Sequence, residues 1–436
     1  MSSSRRARIR WRELLLAGIR LEYGVLFVGL ILISITAFGD ILFEGDSAIE
    51  YTTRPTSDPV FALNQGIAAG RVQLKFDNAQ GYLRSVLGAL KIPVESQMAV
   101  FSKTSVQSFR IYPDNPRTLF FNDSTAVGWV PGGFIEVATE DAHQGVVFYS
   151  LAQQATGKPQ FTRRNDCLGC HHTEETLGVP GMLAGSVFTD LDGKPLYDFG
   201  TYVTDHRTPL EQRWGGWYVT GATGSIRHMG NATVADPTNT KANKPYGFTL
   251  QSLRGKFDSD ATLSPYSDIV ALMVFEHQMH MVNLLTRIGW EARLDVVQQP
   301  KSNVTALLRP RAEELVDYLL FVDEAPLTDK IRGTSGFAEK FVAEGPIDSK
   351  GRSLRQLDLE HRLMKYPCSY MIYSAAFDGL PPEAKDAIYK RLWQVLSGND
   401  KGAKYTRLSF GDRQAIVGIL RDTKPGLPDY FRAVTH

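Results

Sequence analysis

Apolar residues alternate with polar ones at Val72, Leu74 and Phe76, the two-residue period of a half-buried strand. A helix is expected next over 80–90, ending ahead of Pro93. The segments 98–103, 108–112, 118–121, 126–130, 134–138 and 146–151 are short, rich in β-branched or aromatic residues, and separated by Pro, Gly, Asn and Asp. Such punctuation predicts an antiparallel sheet. From 156 to about 243 the Gly, Pro, Thr and Asn content rises and the periodicity fades, so ordered loops are expected there. After Pro265 the pattern turns helical, over 267–288 up to Gly289, 311–322, 357–376, 382–396 and 409–421. The last of these begins at Ser409 with Asp412 three residues on, the arrangement of a capping box. No internal repeat or low-complexity tract interrupts the chain. The fold class expected is α+β, β-rich first and helical later.

At 436 residues the chain has room for one large or two moderate units. Its 48 basic and 47 acidic residues nearly cancel, which removes the electrostatic case for a nucleic-acid partner. Arg5, Arg6, Arg8, Arg10 and Arg12 precede an apolar run over 23–38, a basic flank followed by a membrane segment. The apolar run is longer than most signal peptides need and shows no small-x-small cleavage pattern near 35–40. A retained anchor is therefore expected over a cleaved leader, with a single pass through the inner membrane and the remainder on the periplasmic face.

Only three cysteines occur, too few for a disulfide framework, and two of them belong to the run Cys167-Leu-Gly-Cys170-His171. The third, Cys368, reads as a buried unpaired thiol. The three-residue step between Cys167 and Cys170 matches two sulfurs to the two vinyl groups of a porphyrin, and the adjacent His171 then falls beneath the iron. A thioredoxin-like pair would want a βαβ context, and a zinc site would want further ligands nearby. His172 reads as a solvated neighbour, with a bond to a haem propionate as the alternative.

This pentapeptide resembles the attachment site of the c-type cytochromes. The phrases over 213–221, 227–231 and 366–370 look like those of bacterial cytochrome-c-domain proteins, a likeness that implies no mechanism. The resemblance implies one covalent haem c on Cys167, Cys170 and His171, with redox proteins as partners and the membrane reached through the N-terminal anchor. The organisation expected is a basic tail and anchor over 1–45, a β-rich region over 46–155, a loop-rich haem-binding region over 156–265, and a helical region over 266–436 packed on it.

The sixth position on the iron decides between carrier and enzyme. Met182 lies close to His171 in sequence, and His228 and Met229 sit in a Gly-rich loop further on. The segment 269–285 is apolar nearly all round, yet Glu276, His277 and His280 interrupt it, and buried polar groups need partners. His277 and His280 share a face, while Glu276 and His280 are spaced to meet. The distal candidates are His277 first and His228 second, and a separate metal site made by this trio with His228 is the alternative. Arg227 and Arg213, beside Trp214, Trp217 and Tyr218, suit propionates and a porphyrin edge.

Three functions fit this reading. The first is a membrane-anchored electron-transfer cytochrome with a six-coordinate haem. The second is a monohaem peroxidase- or oxygenase-type enzyme with an open distal site, in which His277, His280 or Arg227 acts on bound peroxide or oxygen. The third is a haem-bearing subunit of a larger respiratory complex.

Overall fold

The structure is a computed structural model that describes residues 41–239, 245–258, 262–300 and 302–432. One compact unit spans Leu42–His436, and the elements below belong to it.

Asp58 starts the first helix, α1 (Pro59–Ala68): its carboxylate accepts from the amides of Val60 and Phe61, and Pro59 occupies a first-turn position that needs no amide donor. The second helix, α2 (Leu83–Ala89), falls inside the expected 80–90 segment. The stretch 72–76 between them is not a strand. Leu74 is buried but Phe76 is 38% exposed, so the alternation seats one side chain in the core without a strand alongside.

The sheet is a mixed-length antiparallel one. Its strands are β1 (Met98–Val100), β2 (Arg117–Phe121), β3 (Thr125–Trp129), β4 (Ile135–Asp141), β5 (Gly145–Leu151) and β6 (Thr162–Arg163). Four of the expected segments match these strands closely, 98–103 shortens to β1, and 108–112 becomes a single 3₁₀ turn. Further along the chain come a one-turn helix α3 (Leu168–His171), a separate pair β7 (Ala184–Val187) and β8 (Thr201–Thr204), and β9 (Trp217–Tyr218). The seven-stranded order is β6-β5-β4-β3-β2-β1-β9.

Alternation along these strands sends side chains into two cores. Phe120, Val127, Trp129, Val137, Val147 and Tyr149 face α1 and α2. Leu119, Phe121, Ala126, Val146 and Phe148 face the C-terminal helices. Both sheet faces are covered, which explains why these strands carry so few exposed positions.

The second core is organised by one long helix, α4 (Ile269–Gln298), 30 residues and about 45 Å at 1.5 Å per residue. Phe275 on this helix packs on Phe121 of the sheet at 4.6 Å between ring centres. The expected stop at Gly289 does not occur. Gly289 is helical, and a Cβ there would lie 3.2 Å from Leu380, so this glycine permits close packing rather than ending the helix.

Short α5 (Val304–Leu307) precedes α6 (Arg309–Leu319), and α7 (Phe337–Ala343) follows. The expected helix over 357–376 is replaced by turns, a 3₁₀ turn Tyr370–Tyr373 and short α8 (Ala375–Asp378). Pro367 lies inside that segment, and Leu359 adopts φ +62°, so its backbone cannot follow one helical path. The last two helices are α9 (Pro382–Leu396) and α10 (Phe410–Thr423), the latter opened by the expected Ser409/Asp412 capping box. The architecture is thus α+β, with the sheet in the middle of the chain and helices dominating its C-terminal half.

The expected membrane placement requires correction. The apolar run 23–38 and its basic flank lie outside the described residues. Among the described residues no helix is long and apolar enough to cross a membrane, so a single-pass inner-membrane protein with a periplasmic ectodomain is not supported.

Asp268 caps α4 from a fully buried position. One carboxylate oxygen accepts from the amides of Val270 and Ala271, and the other from those of Thr334 and Ser335 and from the Ser335 hydroxyl. Asp268→Ala removes all five hydrogen bonds at once, and the expected loss is about 3 kcal/mol or more, read as a lower urea midpoint. An unchanged midpoint would show that the cap does not hold this helix.

Candidate functional site

The chain leaves β6 with the Arg164 amide still bonded to the Phe148 carbonyl at 2.8 Å, then tightens into the 3₁₀ turn Asn165–Cys167 and α3. A step of three residues on one helical turn brings side chains to the same side, so the thiols of Cys167 and Cys170 are neighbours. Both are free; Cys167 is half-buried and Cys170 exposed. Burial, with the nearby Asp166 carboxylate, pushes the Cys167 thiol up to about 11, so it rests protonated at neutral pH.

His171 ends α3 with its ring held in a defined orientation. Its Nδ1 lies 3.0 Å from the Gly181 carbonyl, and the Gly181 amide returns a 2.8 Å bond to the His171 carbonyl. Only an Nδ1–H can donate to a carbonyl, so the Nε2 side of this ring carries the lone pair. The ring packs on Phe148 at 4.8 Å, and burial lowers its pKa, which keeps the imidazole neutral. The intervening loop 173–181 is tied by the Thr176 hydroxyl to the Val179 carbonyl at 2.8 Å and by the Gly178 amide to the Thr173 carbonyl at 2.8 Å. His172, expected in solvent, turns inward instead: its Nε2 lies 3.1 Å from the Gly178 carbonyl and its ring meets the edge of Trp290.

Helix α4 supplies the other wall of this loop. Asn283 accepts from the Met182 amide at 3.0 Å and donates to the Met182 carbonyl at 2.7 Å. Arg287 donates to the Leu177 carbonyl at 3.0 Å and pairs with Glu291 at 2.6 Å. Met182 itself is buried in the core next to α4. Arg117 of β2 pairs with Glu136 of β4, and both act electrostatically on His171. Arg164 and Asp166, paired at 2.6 Å, flank Cys167. The contributions of Asn283, Arg117 and Glu136 were missed from sequence, because their proximity to the motif comes from the sheet and from a helix about a hundred residues away.

The remaining candidates gather elsewhere. His277 is fully buried, with both ring nitrogens engaged: Nδ1 is 2.8 Å from Nδ1 of His206 and Nε2 is 2.7 Å from the Ser369 hydroxyl. Its ring stacks on Tyr318 and Phe321. His280 lies 3.2 Å from the Arg207 guanidinium and 3.9 Å from the Asp205 carboxylate. Glu276, expected to meet His280, instead accepts from the Thr204 hydroxyl at 2.6 Å and pairs with buried Arg213 at 3.2 Å. Burial outweighs Arg213 and lifts the Glu276 carboxyl to about 7. His206, which completes the pair with His277, carries no sequence signal that would have singled it out.

His228 is buried against Trp214 at 5.5 Å, with Nε2 3.1 Å from the Thr249 hydroxyl. Arg227 is exposed on the loop before it. Trp217 and Tyr218 form β9 at the sheet edge, and Met229 packs with Phe188, Phe199 and Val234. The alternative of a separate metal site does not assemble among the described residues. Among the described residues no group of three or more His, Cys, Asp and Glu side chains is placed to hold a metal ion, because Glu276, His277, His280 and His228 each turn to different partners.

No family model, curated protein or solved structure matches the chain at a significant level.

Burial holds His228 neutral down to about 4, whereas an unfolded histidine takes its proton near 6.5. The folded pKa lies below the unfolded one, so the unfolded state binds more protons between these values and stability falls as pH drops through that window. His228→Phe removes this histidine's share. Between pH 7 and pH 5 the variant is expected to lose about 1–2 kcal/mol less stability than the parent chain, measured by urea unfolding at both values. Parallel losses in the two proteins would rule out the assigned protonation state.

Proposed function

We propose that this chain is a monohaem c-type cytochrome whose haem joins Cys167 and Cys170 by thioether bonds and takes His171 as an axial ligand, and that it exchanges electrons with redox partner proteins. The observation that carries the reading is the Nδ1 bond from His171 to the Gly181 carbonyl, 3.0 Å long, on the same helical turn as two free thiols. A ligating histidine needs its far nitrogen anchored in this way, since the anchor selects the tautomer and aims the coordinating nitrogen.

The donor set fits the group. Two thiols at a three-residue step meet the demand for two thioether links, and the neutral imidazole presents Nε2 rather than a proton. A haem held there would supply one-electron chemistry. The protein's own residues do the rest. Phe148 backs the imidazole ring, Gly181 orients it, and the Arg117–Glu136 pair sets charge near it. The exposed Cys170 side is where a porphyrin can approach the turn.

Full-length chain produced together with a haem-attachment system is expected to give a pyridine haemochrome spectrum of a doubly thioether-linked haem. A tryptic peptide containing residues 167–171 should carry the added mass. Cys170→Ser should shift the haemochrome band to that of a singly linked haem and lower the yield several-fold. A colourless chain with both thiols open to alkylation would overturn the proposal.

A further inference from the structure

We infer that Asn283 is a positioning residue that sets the tautomer and aim of His171 through Gly181 and Met182; this rests on His171 being the iron ligand proposed above. Asn283 is 1% exposed on a helix that is buried along this stretch, where an amide side chain has to be hydrogen-bonded. Its two bonds go to the amide and the carbonyl of the same residue, Met182, at 3.0 and 2.7 Å. This two-point contact mimics a strand pairing and fixes the Met182 backbone just before β7 begins. The preceding peptide carries the Gly181 carbonyl that accepts from His171 Nδ1. Rotation of that peptide is thus limited on one side by the His171 pair of bonds and on the other by Asn283.

Space confirms how tightly the two are fitted. A Cβ on Gly181 would lie 2.3 Å from Asn283 Oδ1, so a side chain at 181 and the amide at 283 exclude each other. Thr176 crowds the same point, its own Cβ 3.1 Å from such an added Cβ, and its hydroxyl is held to the Val179 carbonyl at 2.8 Å. A ligand's outer partner acts on the metal by fixing ring orientation and raising ligand basicity. Asn283 acts one bond further out, by holding the carbonyl that does so.

The test uses ¹⁵N-histidine-labelled full-length chain made without a haem-attachment system, where long-range ¹H–¹⁵N spectra report which ring nitrogen of His171 is protonated. The parent chain is expected to hold His171 in the Nδ1–H form, against the Nε2–H form that neutral imidazole favours in water. Asn283→Leu, close in shape but unable to bond Met182, should return His171 to a mixture rich in Nε2–H. Gly181→Ala should do the same from the loop side, and it decides the matter if Asn283→Leu fails to give a cooperative melt. In haem-loaded protein the same variants should raise the midpoint potential, because a less basic imidazole stabilises ferric iron less. A His171 that stays wholly Nδ1–H in both variants, with the potential unmoved, would overturn the inference. A parent chain that binds no haem would defeat the cytochrome reading while the tautomer spectra still answer for Asn283.

Discussion

Polar side chains on a helix that is buried nearly all round can be accommodated only if each finds an internal partner, and the structure is arranged around that requirement on α4. Glu276 reaches Thr204 and Arg213, His277 reaches His206 and Ser369, Gln278 reaches the Asn122 carbonyl and the Tyr370 hydroxyl. Asn283 and Arg287 then reach the loop after the cysteine motif. The bonds go to four parts of the chain: Asn122, the loop 177–182, the segment 204–213 and the pair Ser369 and Tyr370. Hydrophobic burial would tolerate small slips of the helix against the sheet, but these bonds would not, because a slip leaves several desolvated groups unpaired at a cost of about 1–3 kcal/mol each. The helix therefore acts as a register for the segments packed on it.

Two polar sites follow from that register. Toward its C-terminal end, Asn283, Arg287 and Trp290 carry the loop that orients His171. Nearer its N-terminus, His277 and His280 enter a buried aromatic and charged cluster with His206, Tyr318 and Asp205. Six residues of one rigid helix separate His277 from Asn283, about 9 Å along the axis. The first site is open to solvent at Cys170 and has chemistry in reserve, with two free thiols and an imidazole nitrogen. In the second, both ring nitrogens of His277 are spent on internal bonds.

Much of the sheet was legible from the chain because its strands are short, aromatic or β-branched, and bounded by turn residues whose backbone preferences are local. The same holds for the capping box at Ser409 and for α9. Errors came where a residue's role depends on distant packing. Gly289 reads locally as a stop, but Leu380 lies against it and the helix continues. The 72–76 alternation lacked a strand partner, which no local pattern can supply. The start of α1 is likewise local, an Asp58 cap followed by Pro59 in the first turn.

At the site the division runs along the same line. The spacing of Cys167, Cys170 and His171 is a local property, and the one-turn helix over Leu168–His171 brings the three together where loops were expected. The neighbours of that turn are not local. Asn283, Arg117 and Glu136 are brought there by the helix and the sheet, and the partners of His277 and His228 were decided by which buried groups happened to face them. Sequence by itself determined which functional groups share one turn; tertiary structure decided which histidine keeps a nitrogen for other use, because a buried imidazole bonds to whatever polar group the fold places within about 3 Å of it.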